Sequence, residues 1–295
     1  MKIKYSESVS PFLLLLLVAL LAVSCQKASE LDIPSYIAID TISLDVAGLQ
    51  GTASEKILDA WVYTDNDLEG AFELPAKFPV LKAGSSQLLI QPGIKMNGMA
   101  ETRVPYPFYK PLSIPVTLNR KTVTSLGHLH TSYKTSTVFE WMEDFENPNL
   151  TLDNTARSSI SYERYNDPSL AAAFPSEGNL FDARIRISSD SATFESTSHD
   201  YLALPKDGSE VFLELNYKSN CAFTVGLFIY GATTVQQSIL VVNPSENWNK
   251  IYINFTPTVS LNNSATDFKV FITARKAEGG ADADIRLDNI KLLHF

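Results

Sequence analysis

Two histidines offer the first possible chemistry. His128 and His130 stand two residues apart, so on a strand both side chains would leave from one face. Two imidazoles on one face can ligate a metal, but the usual zinc sites draw three or four protein ligands. A third is not evident nearby, so exposed connector histidines are the expectation. His199-Asp200 lies in a polar stretch and reads as a loop. The 33 Asp and Glu residues are spread along the chain, the pattern of a solvated surface, and a glycosidase pair of carboxylates meets only in space. The sequence contains no Gly-x-Ser-x-Gly, phosphate-binding glycine loop, Cys pair or His-Glu-x-x-His. These residues predict a protein that is not an enzyme. Of the two cysteines, Cys221 opens the apolar run Cys221-Ala222-Phe223-Thr224-Val225 and is expected to be a buried, inert thiol.

Cys25 has a different setting. Lys2 and Lys4 form a short basic region, and the 12 residues from Phe12 to Val23 are all apolar. A membrane-spanning helix needs about 20 such residues, so the segment fits the apolar core of a secretory signal. Its end, Leu21-Ala22-Val23-Ser24-Cys25, resembles the lipobox of bacterial lipoproteins, although Leu21 sits one place early and Ala22 stands where Leu is usual. The resemblance implies cleavage after residue 24 and acyl chains on Cys25. Residues 25–32 then read as lipidated Cys and polar tether. Glu30 and Asp32 resemble the acidic surface-export signal of Bacteroidetes lipoproteins.

Loss of residues 1–24 removes Lys2, Lys4 and Glu7, leaving 22 basic and 32 acidic residues and a net charge of −10. Such a chain is repelled by phosphate backbones and anionic lipid heads, which argues against nucleic acid as a partner. Membrane attachment would then depend on acyl chains, each buried CH₂ contributing about 0.8 kcal/mol. The implied location is the cell envelope, on the outer membrane, with surface display an option.

From Ile33 onward the hydrophobic period is close to two. Ile37 and Ile39 alternate, as do Ile42 and Leu44, with a phase slip at Asp40-Thr41 that predicts a bulge. Asp65-Asn66-Asp67 supplies turn chemistry between Ala60–Thr64 and Leu68–Phe72. Pro105, Pro107, Pro111 and Pro115 exclude a helix there and allow only edge strands. Trp61-Val62-Tyr63, Gly70, Leu74-Pro75 and Leu81-Lys82-Ala83-Gly84 resemble PEGA-class β-sandwiches, and Pro105-Tyr106-Pro107-Phe108-Tyr109 is similar to uncharacterised Bacteroidetes lipoproteins. Residues 118–138 look like a last strand and a connector, so a PEGA-like β-sandwich and connector is expected over 33–138.

A second pattern begins at Phe139-Glu140-Trp141. Val211, Leu213, Leu215 and Tyr217 alternate with polar neighbours, as do Ile251, Ile253 and Phe255, then Phe268, Val270 and Ile272. Ile285 and Leu287 share one phase, Ile290 and Leu292 the other, with the slip at Asp288-Asn289. Many short strands between turns predict a sandwich or jelly roll. The early Phe-Glu segment, the Trp before a late strand and the closing Ile-Arg-Leu-Asp-Asn-Ile-Lys-Leu resemble the galactose-binding-like jelly roll of carbohydrate-binding modules, over 139–295. That resemblance implies a structural Ca²⁺ held by Glu146 and Asp288, with Asp144 as a further candidate. Cation binding at these positions also suits the expected bulge, since Ca²⁺ takes six to eight oxygens from carboxylates and carbonyls.

The fold class expected is therefore all-β, with two β-sandwich domains, the second a jelly roll, after a cleaved lipoprotein signal peptide. Two functions follow. One is a non-catalytic binding module for polysaccharide, with Tyr162, Tyr165, Tyr201 and Tyr230 as candidate docking rings. The other is a structural or assembly subunit of an envelope complex that binds no small ligand. Partners are accordingly the membrane, through the anchor, and a glycan or an envelope protein.

Overall fold

The computed structural model describes residues 33–168, 170 and 179–295. The signal segment, Cys25 and the tether lie outside the described residues. The first half of the chain forms β1 (Ser35–Asp45), β2 (Asp59–Thr64), β3 (Asp67–Glu73), β4 (Ala76–Val80), β5 (Gly84–Lys95), β6 (Arg103–Pro105), β7 (Leu112–Leu118) and β8 (Val123–Ser132). These make two sheets, ordered β4-β1-β8 and β3-β2-β5-β6, with β7 also on β5. Strand β1 pairs antiparallel with β4 and parallel with β8. The phase slip at Asp40-Thr41 is a bulge, which lets Ile37, Ile39, Ile42 and Leu44 all reach the core. Asp65 and Asn66 take positive φ in the tight turn between β2 and β3, a conformation that Asp and Asn tolerate. Pro115 lies in β7, which among the described residues pairs only with β5, so its missing N–H breaks no ladder.

The second half forms β9 (Val138–Glu143), β10 (Leu152–Asn154), β11 (Glu163–Asn166), β12 (Phe181–Ile187), β13 (Phe194–Ser198), β14 (Val211–Ser219), β15 (Phe223–Tyr230), β16 (Val235–Val242), β17 (Ser245–Asn254), the short helix α1 (Thr256–Leu261), β18 (Asp267–Ala274) and β19 (Ala283–His294). It is a jelly-roll β-sandwich of two sheets, β10-β13-β18-β15-β16 and β11-β12-β19-β14-β17, with β9 beside β19. The Asp288-Asn289 slip is a real irregularity: Asn289 has φ 49°, and the β14–β19 register shifts there. Before it, Ala283, Ile285 and Leu287 face the sandwich; after it, Ile290 and Leu292 do.

The two halves share a core. Alternation sends Leu213, Leu215, Ile251 and Ile253 into the second sandwich, and the same strands send Phe212 and Tyr252 outward. With Leu293, those outward residues join the hydrophobic core of the first half, beside Tyr106, Phe108, Tyr109 and Tyr133. Residues 118–138 contain the last strand of the first half, β8 (Val123–Ser132), and Tyr133, just past it, is buried in this shared core.

Charges are buried at the same seam. Glu214 and Lys250 are paired at 2.5 Å with almost no exposed surface. Tyr106 donates to Glu214 at 2.9 Å and Tyr133 at 3.0 Å. Lys250 also donates to the Ser54 carbonyl and Lys291 to that of Thr52, both at 2.7 Å. Burial, then the neighbouring Lys250 ammonium, pushes the Lys291 pKa down to about 7. A lysine with a depressed folded pKa favours the native state most when neutral, and that contribution fades as pH falls through the folded value. Stability contributed by Lys291 should therefore rise from about pH 7 towards pH 9. Melting curves across that window should show this slope in the parent and a flatter one in Lys291→Met.

Candidate functional site

The first half covers one end of the six-stranded sheet, as far as Asn216, Asn249 and Asn289, which bond Ser54, Lys56 and Thr52. The other end of the same face is open. There, register places Arg184 opposite Arg286 and Arg286 opposite Lys218, so three cations form one row across β12, β19 and β14. They stand on the polar phase of strands whose apolar phase, Ala183, Ile185, Ile285 and Leu287, fills the sandwich. Like charges in a row repel, and carboxylates on the same face relieve this. Arg184 grips Asp284 through Nε at 3.1 Å and through Nη2. Arg286 grips Asp182 through Nε at 2.9 Å and reaches Asp167 at 3.0 Å. Burial pushes the Asp182 pKa up to about 6, against the opposing pull of Arg286.

Aromatic rings stand beside the two guanidiniums. The Tyr165 ring lies 4.8 Å from the Arg184 guanidinium and 4.5 Å from that of Arg286. Trp248 stands 6.0 Å from Arg286. Cation–π contacts of this kind fix guanidinium planes. Arg184, Lys218, Ser219, Asn220, Ser245, Glu246, Asp284 and Arg286 line the resulting groove, of about 360 Å³. Its lining carries charges of both signs. It can accept and donate hydrogen bonds at several points.

The four tyrosines expected as docking rings do not share one patch. Tyr162 is packed between Phe145 and Phe194 and donates to the Leu152 carbonyl, so it serves the core. Tyr165 stands against the Arg184 and Arg286 guanidiniums beside the groove. Tyr201 and Tyr230 pair edge-to-face at 4.8 Å beside β18 of the five-stranded sheet, where Lys269 sits over the Tyr201 ring. Arg184, Lys218, Asp284 and Arg286 were not singled out from sequence. Their only signal is alternation, charged residues at every second place of Asp182–Arg186 and Asp284–Asp288, which reads equally well as a solvated face.

The residues expected to hold a cation are placed as follows. Asp144, Phe145 and Glu146 form a turn with Phe145 at φ 58°. Asp144 accepts from the Glu146 N–H at 3.2 Å, and one Glu146 oxygen accepts from the N–H groups of Leu180 and Phe181 at 2.6 and 2.7 Å. Asp288 is fully buried, and both its oxygens accept from Asn289 at 2.7 and 2.8 Å. The Arg164 guanidinium takes the carbonyls of Phe145 and Glu146 at 2.6 and 2.8 Å. Among the described residues no group of three or more His, Cys, Asp or Glu is arranged to hold a metal ion. Glu146 and Asp288 do interact electrically, and burial holds the Asp288 carboxyl well above its usual range. One oxygen of Asp144, one of Glu146 and both of Asp288 thus accept from N–H donors, and Arg164 holds the carbonyls of the turn.

No family model matches the chain, and no curated protein matches it. Solved structures resemble about half of it. The enzymatically active domain of tailspike protein 4 from bacteriophage CBA120 matches 59% of this chain at 12% identity and a TM-score of 0.39, and only 26% of that chain is covered. A family 11 carbohydrate-binding module from Clostridium thermocellum, in complex with a β-1,3-1,4-mixed-linked tetrasaccharide, matches 52% of this chain and 95% of its own at 15% identity and TM-score 0.35. The Stig cyclase Fisc from Fischerella sp. TAU matches 54% of this chain and 98% of its own at 14% identity and TM-score 0.38. Likenesses this distant decide nothing about function.

Arg164 therefore has a measurable role. Arg164→Leu should cost about 1–3 kcal/mol by leaving two inward carbonyls unpaired. The parent should melt at one temperature with millimolar Ca²⁺ and with chelator. A rise confined to Ca²⁺ would return Glu146 and Asp288 to the role of ligands.

Proposed function

We propose that the chain is a non-catalytic binding protein and that the open groove of the six-stranded sheet takes a polyhydroxylated ligand, an oligosaccharide being the fitting class. The observation that supports this reading is the row Arg184, Arg286 and Lys218 with its paired carboxylates. The two guanidiniums are already neutralised by Asp284, Asp182 and Asp167, so the groove offers a polyanion little net attraction. It offers a sugar both donors and acceptors. A volume of about 360 Å³ lies within the range of small-ligand sites, roughly 300–1,000 Å³. Acylation of Cys25 would hold the groove at the envelope, on the outer membrane, where extracellular polysaccharide is met. The covered half of the sheet then acts as a rigid mount.

Calorimetric titration against a panel of neutral and uronic-acid oligosaccharides tests the proposal. At least one should bind the parent. Lys218→Ala and Glu246→Ala, both at the rim of the groove, should each weaken that binding tenfold or more, about 1.4 kcal/mol, with unchanged melting temperature. Binding that ignores both substitutions would place the ligand elsewhere. A panel without any binder would favour the structural-subunit reading.

A further inference from the structure

His128 and His130 lie in β8, not in a connector, and both are exposed on one face of it. Their rings are 4.6 Å apart, centroid to centroid, and tilted by 38°. Each ring is held on its Nδ1 side by the parallel neighbour β1. Thr41 Oγ1 lies 2.8 Å from His128 Nδ1, and Asp45 Oδ1 lies 3.1 Å from His130 Nδ1. The bulge in β1 that brings Ile42 to the core also sets Thr41 opposite His128 and Ser43 opposite His130. A carboxylate can only accept, so the proton of neutral His130 sits on Nδ1 and its Nε2 presents a lone pair. The Thr41 hydroxyl accepts from His128 Nδ1 in the same manner when His128 Nε2 is a ligand. This is the arrangement of histidines that bind metals: the far nitrogen is anchored by an oxygen, which fixes the tautomer and the ring.

We propose that His128 and His130 form a two-imidazole chelate for a late first-row divalent metal, each ligating through Nε2, with Thr41 and Asp45 as positioning residues and water completing the shell. Two fixed nitrogens without a carboxylate ligand suit Cu²⁺, Ni²⁺ and Zn²⁺ and do not suit Ca²⁺ or Mg²⁺. A groove of about 400 Å³ between β7 and β8 includes His130, Asp45 and Lys110 in its lining, so solvent ligands have open access. The site is distinct from the groove on the six-stranded sheet and does not depend on what that groove binds.

Equilibrium dialysis and calorimetric titration of the full chain with Cu²⁺, Ni²⁺ and Zn²⁺ test it. One metal per chain should bind at this site, tightest for Cu²⁺. His128→Asn and His130→Asn should each abolish or strongly weaken the event, and His199→Asn should leave it intact. Asp45→Asn should weaken it about tenfold to a hundredfold with an unchanged melting temperature. Binding only at millimolar metal, or binding that survives the His128→Asn/His130→Asn double substitution, would overturn the site.

Discussion

The ion pair between Glu214 and Lys250 organises this molecule. Both groups are withdrawn from water, and a buried pair is tolerated only where further hydrogen bonds satisfy it. Here the partners come from both halves of the chain. Tyr106 and Tyr133 donate to the carboxylate, and the Ser54 carbonyl accepts from the ammonium. Neither half can keep these charges dry alone, because β14 and β17 present Glu214 and Lys250 on a face that only the first half covers. The surrounding rings, Tyr109 and Tyr252 with hydroxyls 3.0 Å apart, exclude water and make the contact specific in register.

This constraint also shapes the surface that remains. The six-stranded sheet has one polar face, and the first half occupies one end of it. What is left is the short stretch where Arg184, Arg286 and Lys218 line up and Tyr165 stacks beneath the guanidiniums. That groove is therefore bounded on one side by a rigid shared core. The bulge at Asn289 divides the two regions: before it, β19 turns Asp284 and Arg286 to the groove, and after it, Lys291 and Leu293 to the seam. One irregular residue lets a single strand serve both.

Much of this was legible in the residues. Period-two alternation marked β14, β17 and β18, and the slips at Asp40-Thr41 and Asp288-Asn289 marked the two bulges, because a change of phase has few other physical causes. Asp65-Asn66-Asp67 marked a hairpin. Glu214 was not legible. A polar residue alternating with Phe212 and Asn216 on an amphipathic strand reads as solvated, and only a second sandwich docking on that face buries it. The same ambiguity hid the groove, since a charged face to be covered and one to be left open look alike in one dimension. His128 and His130 were read correctly as one-faced and wrongly as lying in a connector, because the parallel partner that orients them, β1, lies more than eighty residues away.

The central claim, that one buried network couples the two halves, is tested most directly by a double-mutant cycle on Glu214 and Lys250 followed by calorimetry. Glu214→Leu alone leaves a buried ammonium uncompensated and should cost about 3–5 kcal/mol. Adding Lys250→Met should recover much of that loss, while the parent melts in a single transition with equal calorimetric and van't Hoff enthalpies. Two separate transitions in the parent, or a Glu214→Leu variant as stable as the parent, would contradict the account.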